Sequence, residues 1–271
     1  MNKKLIWLIP ILLILGVAAY LLFFNHIKDS RHSQFIQKSS KSIIKINSKS
    51  LYDKFNEGNG LDEKTLKALF NDMEGAGGSS VGKYILKKLR KDPMNCGLDL
   101  RSDVFFFMPN FEDVNCYALA ISIKDIDAFN RMMLKMKNIE FNLRKTEDFY
   151  IIKEEDDLCY TWNEKGLLIL KRKEMHSFYS SSSIAENIEV YANELMTLED
   201  ENSQAKSESF KQWVKNSHDV SIFGNAIASN LDDEAAKFLK SFGLINDEFA
   251  SASHIDFLKD KIVMTTEFYG N

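Results

Sequence analysis

The sequence predicts an α+β fold, an antiparallel sheet with helices packed on one face, preceded by one N-terminal transmembrane helix. Three observations carry that expectation. They are an uncharged apolar run near the N-terminus, four short β-rich runs in succession between residues 141 and 172, and amphipathic helical stripes on either side of them. With 271 residues, 45% hydrophobic and 27% charged, the chain has an ordinary globular composition and enough length for a sizeable core. A net charge of -4, with basic and acidic residues interspersed, provides no attraction for a phosphate backbone and makes nucleic acid an unexpected partner.

Residues 1–4, "MNKK", form a short basic start, and residues 5–24, "LIWLIPILLILGVAAYLLFF", carry no charge. At 1.5 Å per residue this run reaches about 30 Å, the thickness of a bilayer core. The apolar stretch continues beyond the small residues of "GVAA", longer than the h-region of a cleaved signal peptide, so an uncleaved signal anchor is expected. The first cysteine is Cys96, too far along for a lipidated N-terminus. Lys28, Arg31, Lys38 and Lys41 outnumber Lys3 and Lys4, which by the positive-inside rule would hold the domain in the cytoplasm. Long domains cross largely regardless of that count, and the short basic start is that of an export signal. Residues 25–40 read as a polar stalk and 41–271 as the globular domain.

Along that domain, "SIIKINSKSLYDKF" runs a strand into a helix, and "LDEKTLKALFNDM" places Leu66, Leu69, Phe70 and Met73 on one helical stripe. After "GAGGSS", the segment "VGKYILKKLRK" sets Val81, Ile85 and Leu89 on one face and lysines opposite, and Asp92-Pro93 ends it. "DVFFFMPN" and "NCYALAISI" read as paired strands turning near Asn110, followed by a helix, "DIDAFNRMMLKM", whose methionines fill core positions. "FNLRKT", "DFYIIKE", "LCYTWN" and "GLLILKR" form an antiparallel meander. Ser183-x-x-Glu186 is a capping box for a helix with Ile188, Tyr191, Leu195 and Leu198 inward. "EDENSQAKSES" reads as a polar, mobile link to a short helix around Phe210 and Trp213. Strand "DVSIFGNAI", helix "LDDEAAKFLKSFG" and a C-terminal β-hairpin turning at Lys-Asp-Lys complete the chain.

The one sharp chemical question lies in "GGSSVGKYILKKL". Gly77, Gly82 and Lys83 fit G-x-x-x-x-G-K, in which backbone N–H groups cradle phosphates and the lysine reaches the terminal ones. The next position should carry a hydroxyl for Mg²⁺, yet it is Tyr84, and no strand precedes the loop. A helix-to-helix junction accounts for the same residues: glycines 75, 77 and 78 stop one helix, and Ser79 or Ser80 caps the next. Lys83 is then a surface lysine.

Other chemistry is not signalled. Cys96, Cys116 and Cys159 form no C-x-x-C pair, and the apolar settings of Cys116 and Cys159 suit buried, inert thiols. The acidic turn Glu154–Asp157 lacks the glycine and spaced oxygens of a calcium loop and reads as a hairpin tip. His26, His32, His176, His218 and His254 are scattered singly, two of them in the stalk. His218-Asp219 could orient a base, but no nucleophile stands beside it in sequence. No catalytic, cofactor-binding or metal-ligating residue is assigned, no cofactor is expected, and the protein is not expected to be an enzyme.

The order of segments, "SIIKINSKSLYDKF", "SSVGKYILKKLRKDPMNCGLDLRSDVFFFM", "CYALAISIKDIDAFNRMML" and "EDENSQAKSESFKQWVKNSHDVSIFGNAI", resembles an uncharacterised family of bacterial cell-envelope proteins, known only as a domain of unknown function. Its most specific element is D-P-x-x-x-G-[IL]-D-L, here Asp92 to Leu100, preceded by S-x-x-G-K. The resemblance covers most of residues 42–268. It implies an exported, commonly lipid-anchored protein, often with a second similar half, and it brings no catalytic or binding residues. In this chain a membrane helix stands where the lipidated cysteine would be, and the sequence given ends at Asn271.

The expectation is a single-pass inner-membrane protein, held by residues 5–24, whose periplasmic domain binds or scaffolds an envelope protein partner. The alternatives are a hydrolase or nucleotide-dependent enzyme using residues 77–83, and a carrier of lipid or another hydrophobic ligand.

Overall fold

The computed structural model describes residues 31–40, 42–57, 79–92, 95–112, 114–136, 143–154, 156–173, 187–224, 249–258 and 261–270. The described strands are β1 (Ile43–Ile46), β2 (Val104–Phe107), β3 (Cys116–Ile121), β4 (Leu143–Lys145), β5 (Tyr150–Glu154), β6 (Leu158–Asn163), β7 (Gly166–Arg172), β8 (Val220–Gly224), β9 (Phe249–Phe257) and β10 (Ile262–Gly270). They form one ten-stranded sheet in the order β10-β9-β8-β1-β2-β3-β7-β6-β5-β4, antiparallel throughout. The described helices are α1 (Ser48–Glu57), α2 (Ser80–Lys91), α3 (Ile126–Met133), α4 (Ile188–Met196) and α5 (Glu208–Val214). The meander expected between residues 141 and 172 is β4 to β7, and the C-terminal hairpin is β9–β10.

Helices cover both faces of the sheet, which corrects the expectation of one covered face. Because side chains alternate along a strand, each strand feeds two cores. On one side Ile46, Val104, Ile121, Leu167 and Trp162 pack with Val81, Ile85 and Leu89 of α2 and with Phe129 and Met133 of α3. On the other, Ile43, Phe105, Phe107, Leu168 and Leu170 pack with Tyr191 and Leu195 of α4 and with Phe210 and Trp213 of α5. Each such side chain, fully buried, contributes about 1.5–3 kcal/mol relative to exposure.

Two further expectations change. Residues 31–40, read as stalk, belong to the folded domain: Arg31–Phe35 is a 3-10 turn, and His32, Phe35 and Ile36 are buried. The His32 ring lies 5.0 Å from Phe105, and its Nε2 donates to the Asp103 carbonyl at 2.7 Å. Residues 199–209, read as a mobile link, are two 3-10 turns pinned to the same segment and the first two residues of α5. Lys38 N–H donates to Asn202 O and Gln204 N–H to Ile36 O, both at 2.8 Å. The polar composition there serves turn capping and backbone satisfaction rather than looseness.

The D-P-x-x-x-G-L-D-L element is a structural joint. Asp92 caps α2, and Gly97 holds φ +82, open to glycine but strained for other residues. Its carbonyl accepts the N–H groups of Lys124 and Asp125 at 2.9 and 3.0 Å, and Asp125 then caps α3 through Ala128 N–H. Asp99 accepts from Ser102 Oγ and Arg101 N–H, while Leu98 and Leu100 are buried. The element sets where α3 begins against the sheet.

The membrane run 5–24, the helices expected at "LDEKTLKALFNDM" and "LDDEAAKFLKSFG", and the Ser183–Glu186 capping box lie outside the described residues. The side chain that caps α4 is Asn187, accepting from Glu189 N–H. Among the described residues, no helix is long and apolar enough to cross a membrane.

Candidate functional site

Ser79 caps α2, its Oγ accepting the N–H of Gly82 at 2.8 Å, as the helix-start reading requires. The Glu154 carboxylate, at the end of β5, accepts the N–H groups of Ser80 and of Val81, the latter at 3.2 Å. This is where a helix N-terminus would receive a phosphate, and the protein fills it with its own anion. Tyr160 adds its hydroxyl to the Ser79 cap, and burial pushes that hydroxyl up to about 12. Tyr84, at the Mg²⁺-hydroxyl position, donates to the Met132 carbonyl at 2.8 Å instead. Lys83 is exposed, and Gly77 lies outside the described residues.

Asp156 and Asp157 of the acidic turn are similarly engaged, and Glu155 lies outside the described residues. Asp156 pairs with Lys153 at 2.7 Å, and Asp157 with Lys171 at 3.8 Å. The three cysteines are buried free thiols, Cys116 and Cys159 in the core beneath α4 and α5 and Cys96 in the core on the other face, with burial pushing Cys96 and Cys116 up to about 11 and Cys159 up to about 12. His26 and His176 lie outside the described residues.

His218 and His254 are brought together. In register across the sheet, Lys45 of β1 faces Ser221 of β8, which faces His254 of β9. All three are fully buried, a polar row on the face that α5 covers. The Lys45 ammonium donates to the carbonyls of Trp213, Val214 and Asn216 at the C-terminal end of α5, and lies 5.5 Å from the Trp213 ring. There the negative end of the helix dipole and a π-face offset the loss of water.

The chain leaving α5 then carries His218 over His254, with ring centroids 4.2 Å apart and planes 23° from parallel. Asp256, two residues beyond His254, accepts His218 Nδ1–H at 2.6 Å and Asp219 N–H at 3.2 Å. Burial acts to raise the Asp256 carboxyl, but these hydrogen bonds outweigh it and hold it below the usual carboxylate range. His254 Nδ1 is 2.9 Å from Ser221 Oγ, and its Nε2 faces Glu267 of β10 at 3.4 Å. Burial, then the neighbouring His218 charge, holds the His254 imidazole below its ordinary value.

Asp219 faces away from this pair. Its buried carboxylate accepts from Ser50 Oγ and Lys54 Nζ, each at 2.7 Å, and from Phe257 N–H at 2.6 Å. It therefore joins α1 to the β8–β9 edge and does not orient His218, whose carboxylate partner is Asp256. The sequence signal for Asp256 is its position two residues after His254, on the same face of a strand. What sequence could not provide is the register that sets β8, β9 and β10 side by side.

No curated protein and no solved structure matches the chain. The family model described as "Domain of unknown function (DUF4836)" matches residues 33–271, so it takes in every described strand and helix and begins inside the 3-10 turn that packs on the sheet. The chain belongs to the DUF4836 family of domains of unknown function.

Proposed function

We propose that this protein is a membrane-tethered, extracytoplasmic binding domain that holds an extended segment of an envelope protein partner. The observation that carries the reading is the β10 end of the sheet formed by the described strands. β10 is the terminal strand of the order, and, among the described residues, four of the six exposed large hydrophobic ones, Phe257, Leu258, Ile262 and Met264, sit on the β9–β10 hairpin. Ile262 and Met264 alternate along β10 at 65% and 70% exposure. A terminal strand with protruding apolar side chains suits addition of a partner strand, where the main chain gives affinity and side chains give selectivity. The apolar run 5–24 supports tethering, and its short basic start and the envelope-family resemblance support export.

A photo-crosslinking residue at Met264 in intact cells, with one at exposed Lys124 as control, tests the binding surface. The expected result is a discrete protein adduct from Met264 alone; equal or absent adducts from both sites overturn the reading. Glu147→Cys, exposed while the native cysteines are buried, tests topology separately. A membrane-impermeant thiol reagent should label it before lysis, and labelling only afterwards removes the exported placement.

A further inference from the structure

We infer that His218, His254 and Glu267 form a binding site for a divalent transition metal, zinc by the chemistry of the donor set. One ligand atom from each of the three lies within 4.8 Å of the others. With bonds of about 2.0–2.1 Å, tetrahedral ligands sit about 3.3–3.4 Å apart, and because the His218 and His254 rings are stacked at 4.2 Å and 23°, the His218 ring turns out of the stack to bring its lone pair to the ion. The His254 Nε2 to Glu267 carboxylate separation is 3.4 Å.

The independent observation is the state of His254. Its ring is fully buried, and Nε2 makes no hydrogen bond, with the Glu267 carboxylate standing 3.4 Å away as its polar neighbour. A buried ring nitrogen without a hydrogen-bond partner is an uncommon expense in a folded protein, and it is accounted for if that nitrogen gives its lone pair to a cation. Ser221 Oγ at Nδ1 sets the ring orientation.

The surroundings match what a metal-bound histidine requires. His218 Nδ1–H is committed to Asp256, which leaves Nε2 as the nitrogen that can give its lone pair to a metal and makes it a stronger donor. Asp256 is itself fixed by Asp219 N–H, and Glu267 by the Asn216 side-chain N–H at 3.3 Å. The nearest buried cation in the row, Lys45, has its charge offset by three carbonyls. Two imidazoles and one carboxylate suit zinc rather than calcium or magnesium, which take oxygen ligands. Three protein ligands leave a fourth position for water.

The test uses the full chain in detergent, purified without a polyhistidine tag, stripped with chelator and titrated with ZnCl₂ by calorimetry. CoCl₂ absorption reports coordination geometry. The wild type should bind one equivalent of Zn²⁺ and show the intense visible bands of tetrahedral Co²⁺. Glu267→Gln should weaken binding at least tenfold, and His218→Ala should abolish it with the circular dichroism unchanged. Both side chains are partly exposed, so neither test relies on the fully buried His254. Absence of stoichiometric Zn²⁺ binding by the wild type overturns the site. So does binding that survives both substitutions, which would place any metal elsewhere in the chain.

Discussion

The carboxylate of Glu154 accepts the backbone N–H of Val81, so the end of β5 supplies the anion at the start of α2. The expected consequence is structural. Glu154→Ala should lower stability by about 0.5–2 kcal/mol, the range for losing a helix cap reinforced by charge. Lys83→Ala should stay within about 0.5 kcal/mol. Urea denaturation checks both, and calorimetry with ATP and Mg²⁺ should give no heat with the wild type. A saturable heat that Lys83→Ala removes would reinstate the nucleotide reading.

Gly97 carries the second prediction. An added Cβ would lie 2.4 Å from Phe129 N and 2.5 Å from Asp125 O, both backbone atoms of the α3 start, and φ is +82. No side-chain movement relieves that contact. Gly97→Ala should destabilise by about 2–4 kcal/mol, combining backbone strain with displacement of packed backbone. An unchanged urea midpoint would show that the joint does not depend on this glycine.

Much of this was legible because local chemistry decides it. The α2 stripe of Val81, Ile85 and Leu89 and the β4–β7 meander follow from period, and the Ser79 cap follows from residue type. The two-sided cover had a signal too: "GLLILKR" is a continuous apolar run, the mark of a strand buried on both faces, whereas a solvent-facing strand alternates. The histidine cluster had none of comparable strength. Its members belong to the approach to β8, to β9 and to β10, and only strand order and register make them neighbours. Residues 31–40 misread for a related reason, since a short polar segment with Phe35 and Ile36 has no period to reveal burial.

The cysteines give a pH prediction. Burial raises Cys96 and Cys116 to about 11 and Cys159 to about 12, from a reference of 9.0. A raised pKa means the folded state keeps its proton longer than the unfolded chain does. The stability this contributes is complete below pH 9 and is lost as pH rises from about 9 towards 11 and 12. Ellman's reagent at pH 8 should find no reactive thiol in the native protein and all three in denaturant. A thiol that reacts readily in the native protein would contradict the burial.

Lys45 provides the last prediction, and it separates shape from charge. Its ammonium is fully buried and satisfies the carbonyls of Trp213, Val214 and Asn216. The aliphatic stem lies between Phe105 and Ser221 in register, so it also fills the core beneath α5. Lys45→Ala removes both functions, leaving a cavity and carbonyls without their donor, and should cost about 3–5 kcal/mol. Lys45→Met keeps the stem and removes only the charge. The core then stays filled and only the donor to the carbonyls is lost, so this variant should lose less, about 1–3 kcal/mol. If the two variants unfold at the same urea concentration, packing of the stem contributes nothing. If Lys45→Met is as stable as wild type, the hydrogen bonds to α5 contribute nothing net.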